Sequence, residues 1–366
     1  MTLRVIPIEP IEERYSAQWL KYFDEYFNQN THLKVEMCKY EPYNYLYSGN
    51  VTKIVNGEFL DIVETNLYKS KQLQIICNDF KNNKIKSEDT FLFLDSWFPG
   101  LEMLAYIRDG LGIPFKIVGL LHAGTWDDHD FLTQKGMKIW ARHLERSWLI
   151  LMDRVCVATH FHKELIIKRC KDLHPNLTDT ALDQKIKVTG FPILQTYVKD
   201  VEKLNYIVFP HRLAPEKNAW MFEQLRIQFY DYCVAHHKQF YKDWIFIKTK
   251  EYAHNKQMYY DLLNKSKVAI SFADQETFGI AMLESALCGC YPIVPDKLSY
   301  SELYPEEFKF ALGTSYVKCC LEKLIHIIEN EDFYVEPLRQ LQEQIKTLGM
   351  NAIPNIITHC YEVHNE

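Results

Sequence analysis

Two rhythms of apolar residues alternate along this chain. Short runs such as "LRVIPI", "TFLFLD", "FKIVGLL" and "RVCVAT" are apolar almost throughout, as strands buried on both faces are. Between them lie "RYSAQWLKYFDEYFNQ", "LEMLAYIRDGLG" and "KGMKIWARHLERSWLILM", where apolar positions recur at three and four residues, as on helices with one buried face. A further strand is expected at "LKVEMCKY" and a long helix around residues 60 to 80. The rhythm lapses over "FPILQTYVKDVEKLN", which carries Pro and charge with little periodicity. It resumes with strands at "LNYIVFPHR", "DWIFIKT", "VAISFA" and "YPIVP", separated by helices at "AWMFEQLRIQFYDYCVAHH", at "NKQMYYDLLNKS" and after Thr277, and ends in a helical region from about 316. Strand and helix in strict alternation specify a parallel sheet covered by helices on both faces. The expectation is therefore an α/β chain of two doubly wound parallel-sheet domains facing a cleft. The first takes residues 1–195, a linker 196–204, the second 205–345, and a helical segment over 346–366 has the option of crossing back to the first domain. Ligands of such sheets gather beyond the C-terminal ends of the strands.

Composition narrows the class. A chain of 366 residues with 47% apolar and 14% aromatic content has material for two cores of ordinary size. No run of 18 apolar residues occurs, and "MTLRVIPIEP" lacks a basic region followed by an apolar core, so neither a membrane span nor a secretory signal is expected. The place indicated is a cytoplasm. The ten cysteines form no C-x-x-C pair and read as reduced thiols. A net charge of −6 makes no broad basic field and counts against non-specific electrostatic binding of nucleic acid, leaving local basic surfaces open.

The densest chemistry lies in "DQETFGIAMLESALCGCYPIVP", residues 274–295. It reads as a polar turn after a buried strand, then a helix whose first turn holds Thr277, Phe278, Gly279 and Ile280. Unsatisfied N–H groups at a helix start, with a glycine that admits close approach, suit a phosphate or diphosphate. Glu276 sits at the mouth of that site, and Glu284 lies about two turns deeper, where a carboxylate can accept from vicinal hydroxyls such as those of a ribose. The same spacing is also explained by one glutamate capping the helix and the other in a surface salt bridge. At "FPHRLAPEKN", Arg212 and Lys217 follow a strand end, where two cations can flank a diphosphate and stabilise its departure.

Together "PHRLAPEKN" and "ETFGIAMLESALCGCYPIVP" resemble the signature of the glycogen-synthase-like, group-1 retaining glycosyltransferases. The resemblance implies the GT-B fold, with two Rossmann-like domains, and a nucleotide-sugar donor, UDP- or GDP-linked, held by the acid pair and the Arg/Lys pair. Within that group "ALCGCYPIVPDKLSYSELYPEEF" is most similar to the tRNA-queuosine mannosyltransferases. In the first domain "IEPIEERYSAQW" stands where those enzymes carry a glycine pair, and "HAGTWDDHDF" where they carry a His-Glu-Asn run. His122 matches the family histidine, which the resemblance places on the transferred sugar. "LHAGTWDDHDFL" and "ATHFHKELI" are similar to segments of phage glycosyltransferases, some of which act on hydroxymethylated pyrimidines in DNA.

The resemblance implies front-face displacement, in which the leaving diphosphate takes the incoming hydroxyl's proton and no protein nucleophile is needed. Catalysis then falls to Glu276, His122, Arg212 and Lys217 through positioning and charge. Lys248 and Lys250, in "IFIKTKEYAHN", are candidates for the donor's base. "DDHD", residues 127–130, gathers three acids and a histidine, but four consecutive side chains rarely face one ion, so no metal is expected. Asp127, Asp128 and Asp95 are acceptor-side candidates, Asp95 with capping of the next helix as the other account. Lys138, Arg142 and Arg146 recur every four residues as a stripe for backbone phosphates, moderated by Glu145. Trp97, Trp126 and Tyr15 are candidates to stack on an extruded base, with ordinary packing as the alternative. The acceptor expected first is a hydroxymethylpyrimidine base in phage DNA. The alternatives are queuosine tRNA, a glycan or a small molecule, or a nucleotide-sugar binder that has lost transfer.

Overall fold

The computed structural model describes residues 1–11, 14–38, 61–173, 179–193, 197–313 and 315–365. The last residues of the second expected strand, the start of the helix around 60, and the expected domain boundary at 195–196 lie outside the described residues. The chain separates into two compact units, Met1–Pro192 with Asn351–Glu366, and Ile193–Met350.

The first unit is built on six strands: β1 (Leu3–Ile6), β2 (Val35–Met37), β3 (Thr90–Phe93), β4 (Lys116–Leu120), β5 (Arg154–Val157) and β6 (Ile186–Val188). They are parallel and ordered β2-β1-β3-β4-β5-β6. β1, β3 and β5 are buried at every position, which is why they read as apolar runs. Phe91, Phe93, Phe115, Ile117, Trp148 and Val155 belong to one apolar cluster beneath the covering helices. The helix Lys138–Leu151 contributes Ala141, Glu145, Trp148 and Leu149 to its buried face, three apolar residues and one acid.

The second unit carries β7 (Leu204–Phe209), β8 (Ile245–Lys248), β9 (Ser266–Ile270), β10 (Tyr291–Pro295) and β11 (Lys309–Phe310), parallel in the order β11-β10-β9-β7-β8. The order reverses direction between β1 and β3 in the first sheet and between β7 and β9 in the second. At such points the flanking crossovers leave to opposite faces and open a crevice at the C-terminal strand ends. The long helix Glu331–Glu362 belongs to the second unit up to Met350 and to the first from Asn351. At its residue Gly349 the helix runs against the backbone of Ile193, so closely that any Cβ would collide with the carbonyl group.

Candidate active site

The crevice of the second unit is assembled by ties between the turns that follow β7 and β9. Asn218, held in the left-handed region at φ 55°, donates to the Phe272 carbonyl at 3.0 Å and to Asp274 Oδ2 at 2.7 Å, and Asp274 N–H donates to the Glu216 carbonyl at 2.8 Å. These bonds bring Lys217, at the end of the 3-10 turn Pro215–Lys217, against Glu276: Lys217 Nζ lies 2.8 Å from Glu276 Oε1 and also donates to the Gln275 carbonyl. Lys217 is only 5% exposed, and a buried ammonium is tolerated when a carboxylate and carbonyls share its charge. Arg212 stands at the same strand end, paired with Glu216, and His211 Nδ1 lies 3.7 Å from Glu276 Oε1.

The helix after this turn is Ile280–Leu287, so it starts later than its sequence suggests. Gly279 is its N-cap at φ 76°, a left-handed conformation that cannot sit inside a helical turn, and Thr277 and Phe278 precede it as buried turn residues. The start has no side-chain cap and no acid in its first turn, leaving backbone N–H groups for a ligand. A Cβ at Gly279 would come within 2.8 Å of Tyr300 Cε1. Gly279→Ala is therefore expected to destabilise the fold by about 1–3 kcal/mol, from the positive φ and the crowded ring together. Denaturant unfolding of the variant beside the wild type measures this directly, and an unchanged midpoint would refute it.

Glu284 is buried and already engaged, accepting from the Tyr260 hydroxyl at 2.5 Å and from Lys256 Nζ at 3.2 Å, both on Oε1. Neither helix capping nor an exposed salt bridge describes it. Lys248 is tied to Glu223 and Glu251, whereas Lys250 is exposed on the short helix Thr249–Tyr252.

In the first unit a second polar group gathers at the ends of β1, β3 and β4. His122 Nε2 lies 2.6 Å from the Leu94 carbonyl and its Nδ1 lies 3.0 Å from the Tyr15 hydroxyl. A carbonyl only accepts, so Nε2 carries the proton. Burial, more than any neighbour, pushes the ring's pKa below its ordinary value, so the imidazole is neutral and Nδ1 accepts from the Tyr15 O–H. Both ring nitrogens are thus occupied within the unit, and the Tyr15 oxygen is the group next in line. Trp19 and Phe191 pack on the imidazole with ring centroids 4.9 Å away. Asp95 caps no helix. Its Oδ1 accepts from Trp97 N–H at 2.9 Å and its Oδ2 from Lys69 Nζ at 3.1 Å. Burial opposes the charge on Asp95, yet the Lys69 ammonium, together with the Trp97 N–H, holds its carboxyl below the usual range.

The loop after His122 differs most from its sequence reading. Trp126 is 1% exposed and belongs to the apolar core, with the Arg142 guanidinium 5.8 Å from its ring centroid, so it offers no face to a base. Asp127 accepts from His129 N–H at 2.8 Å, and Asp130 caps the helix Phe131–Gln134. Asp128 is the hub of an ion cluster with Lys138, Arg142 and Arg169. The spacing did put Lys138 and Arg142 on one face, but that face meets Asp128, and Arg142 also donates to the Thr125 carbonyl. Only Arg146 of the stripe lacks such a tie, its buried Nε having no hydrogen-bond partner among the described residues. Glu145 does not moderate the stripe. It turns inward to Thr125 and to Trp97 Nε1, the latter at 2.7 Å, so Trp97 is half-buried and anchored. Among the described residues no cluster of His, Cys, Asp and Glu is arranged to hold a metal ion, and no helix is long and apolar enough to cross a membrane. Sequence reasoning passed over His211, Lys69 and Tyr300, and read Glu145 as part of the exposed stripe. His211 had a signal, since it adjoins Arg212 at a strand end.

Two parallel-sheet α/β units with these crevices define the GT-B glycosyltransferase fold. Sucrose-phosphate synthase from Thermosynechococcus elongatus superposes with a TM-score of 0.65 at 10% identity, over 98% of this chain and 97% of that one. The catalytic domain of starch synthase IV from Arabidopsis thaliana, bound to ADP and acarbose, gives 0.58 at 9% identity, over 97% and 99%. A lipopolysaccharide outer core galactosyltransferase gives 0.57 at 14% identity, over 98% and 100%. No family model matches the chain. In sequence it is similar to the tRNA-queuosine alpha-mannosyltransferase of Drosophila melanogaster, 30% identical over 177 residues, which cover 43% of this chain and 45% of that protein. The match thus spans less than half the length of the curated relative.

Proposed function

We propose that this chain is a nucleotide-sugar-dependent, retaining glycosyltransferase that moves a hexosyl or pentosyl group to a base-borne hydroxyl in nucleic acid. The observation that carries the reading is the buried Lys217–Glu276 pair at the β7/β9 crevice, beside a helix start left uncapped. Arg212, Lys217 and the backbone at Gly279 and Ile280, with Thr277 and Phe278 shaping the turn, take the diphosphate. Glu276 orients the transferred sugar, and Glu284 shares its carboxylate between the ribose and its partners Tyr260 and Lys256. Lys250 stands by for the base. In the reaction the bond from the anomeric carbon to the diphosphate oxygen breaks, its electron pair leaving with the diphosphate. The acceptor oxygen bonds the same face of that carbon, and its proton passes to the departing phosphate. Two cations and a helix start supply the charge stabilisation, so the route needs no added cofactor.

The acceptor we favour is a hydroxymethylated pyrimidine in DNA, modified in the cytoplasm of a host cell if the chain is phage-encoded. The departures of the first unit from the queuosine enzymes support it: a buried Glu9, bonded to Thr65 at 2.5 Å, follows β1, and Ala123-Gly124 follows His122. Tyr15, held by His122, and Asp95, held by Lys69, are the acceptor-side groups. Because Asp128 occupies Lys138 and Arg142, their part in phosphate contact is small. The second reading is a tRNA base, favoured by the insect relative, which modifies tRNA-queuosine.

The deciding experiment offers labelled UDP- and GDP-sugars with hydroxymethylcytosine DNA, hydroxymethyluracil DNA, unmodified DNA and queuosine tRNA, read by nucleoside mass spectrometry. A sugar mass on hydroxymethylated DNA alone establishes the first reading, and one on tRNA the second. Hydrolysis of the donor without a nucleic-acid product leaves a glycan or small-molecule acceptor, and an uncleaved donor leaves a binding protein.

A further inference from the structure

Behind Glu276 lies a buried polar chain. Tyr300 Oη lies 2.9 Å from Ser271 Oγ, Ser271 Oγ lies 2.9 Å from His211 Nε2, and His211 Nδ1 faces Glu276 Oε1 at 3.7 Å. Ala273 N–H donates to the same serine oxygen at 3.2 Å. Tyr300, Ser271 and His211 are all buried, so each proton must be matched to an acceptor within the protein.

We propose that this chain runs one way, Tyr300 O–H to Ser271 O–H to His211 Nε2, and that it thereby presents His211 Nδ1–H to Glu276 and makes His211 a positioning residue for that carboxylate. The opposite direction fails on two counts. It would set an imidazole lone pair against the Glu276 carboxylate, and it would leave the Tyr300 proton with no acceptor among the described residues. The forward direction satisfies every group: Ser271 accepts from Ala273 and Tyr300 and donates to His211. Burial first, then Lys217 and Arg212, holds the His211 pKa well below its ordinary value, so the ring has one proton and the choice between nitrogens is binary. Glu276 is then gripped from two sides, by Lys217 at 2.8 Å and by the His211 ring. Tyr300, whose ring also packs against Gly279, joins the carboxylate's support to the helix start.

The direction of the chain stands on geometry alone, whereas its effect on turnover rests on the transferase reading. Long-range proton–nitrogen correlation spectra of the whole protein, labelled with 15N-histidine and assigned with His211→Gln, read the ring directly. The proton on Nδ1 is expected, and a proton on Nε2 overturns the proposal. Tyr300→Phe keeps the ring against Gly279 and removes only the hydroxyl. Turnover is expected to fall roughly tenfold, with donor KM within about twofold and a melting temperature lower by only a few degrees. Unchanged turnover, or a matching loss of UDP and GDP binding, overturns the positioning role. If the wild type cleaves no nucleotide-sugar, the transferase reading falls, while the ring proton still decides the chain.

Discussion

Glu276→Ala is expected to cut sugar transfer by about a thousandfold while leaving affinity for the bare nucleoside diphosphate within about threefold. The asymmetry follows from what the side chain touches. Glu276 holds Lys217 and faces His211, and in the proposed reading its carboxylate takes the hydroxyls of the transferred sugar, whereas a carboxylate has nothing to offer a phosphate. Its removal leaves Lys217 Nζ on the Gln275 carbonyl and side chain, still beside the helix start where the diphosphate would lie. Glu284→Ala is expected to behave the other way. With the acid gone, Tyr260 and Lys256 lose their common acceptor and the ribose loses its carboxylate, so nucleotide affinity should drop about tenfold while turnover at saturating donor holds. Calorimetry with UDP and GDP, beside turnover for both variants, separates the two. A reversed pattern would show that the roles of the two acids have been exchanged.

Much of this architecture was legible because parallel strands buried on both faces leave uninterrupted apolar runs, as β3 and β10 do. Strand order was not, since the same alternation of strand and helix is compatible with several orders, and the crevices depend on which one forms. The acid and cation motifs were visible, but the bond from Lys217 to Glu276 joins residues 59 apart and appears only when β7 and β9 pair. The helix was read as starting too early because Thr277 and Phe278 suit a first turn, and nothing local announces that Gly279 adopts φ 76°. The basic stripe misled for a different reason. Spacing assigns residues to a helix face but cannot say whether solvent or another loop covers it, and here Asp128 does. Glu145 was legible and misassigned to the stripe: Ala141, Glu145, Trp148 and Leu149 follow the period of a buried face, which marks the acid among them as internal.

That buried acid gives the other large effect. Glu145 is 2% exposed, and burial pushes its carboxyl from an ordinary 4.5 up to about 7, against the hydrogen bonds from Thr125 and Trp97 and with Asp130 adding to the rise. A folded-state pKa above the unfolded one means that the folded protein holds a proton the unfolded chain releases between pH 4.5 and 7. The resulting stability is fully present below about pH 4.5 and is lost as pH rises through 7, a change of about 3 kcal/mol. Glu145→Gln removes the titration, so relative to the wild type the variant should gain most of that amount between pH 5 and 8. At every pH it will carry a constant cost, because its amide N–H group meets donors on Thr125 or Trp97. Urea unfolding of both proteins at pH 5, 6, 7 and 8 isolates the term, since every other titrating group is common to the pair. A pH-independent difference would mean that Glu145 stays ionised throughout, its charge carried by Thr125 and Trp97. A difference that grows as predicted would show that the folded chain keeps Glu145 protonated well above the pH at which the unfolded chain releases that proton.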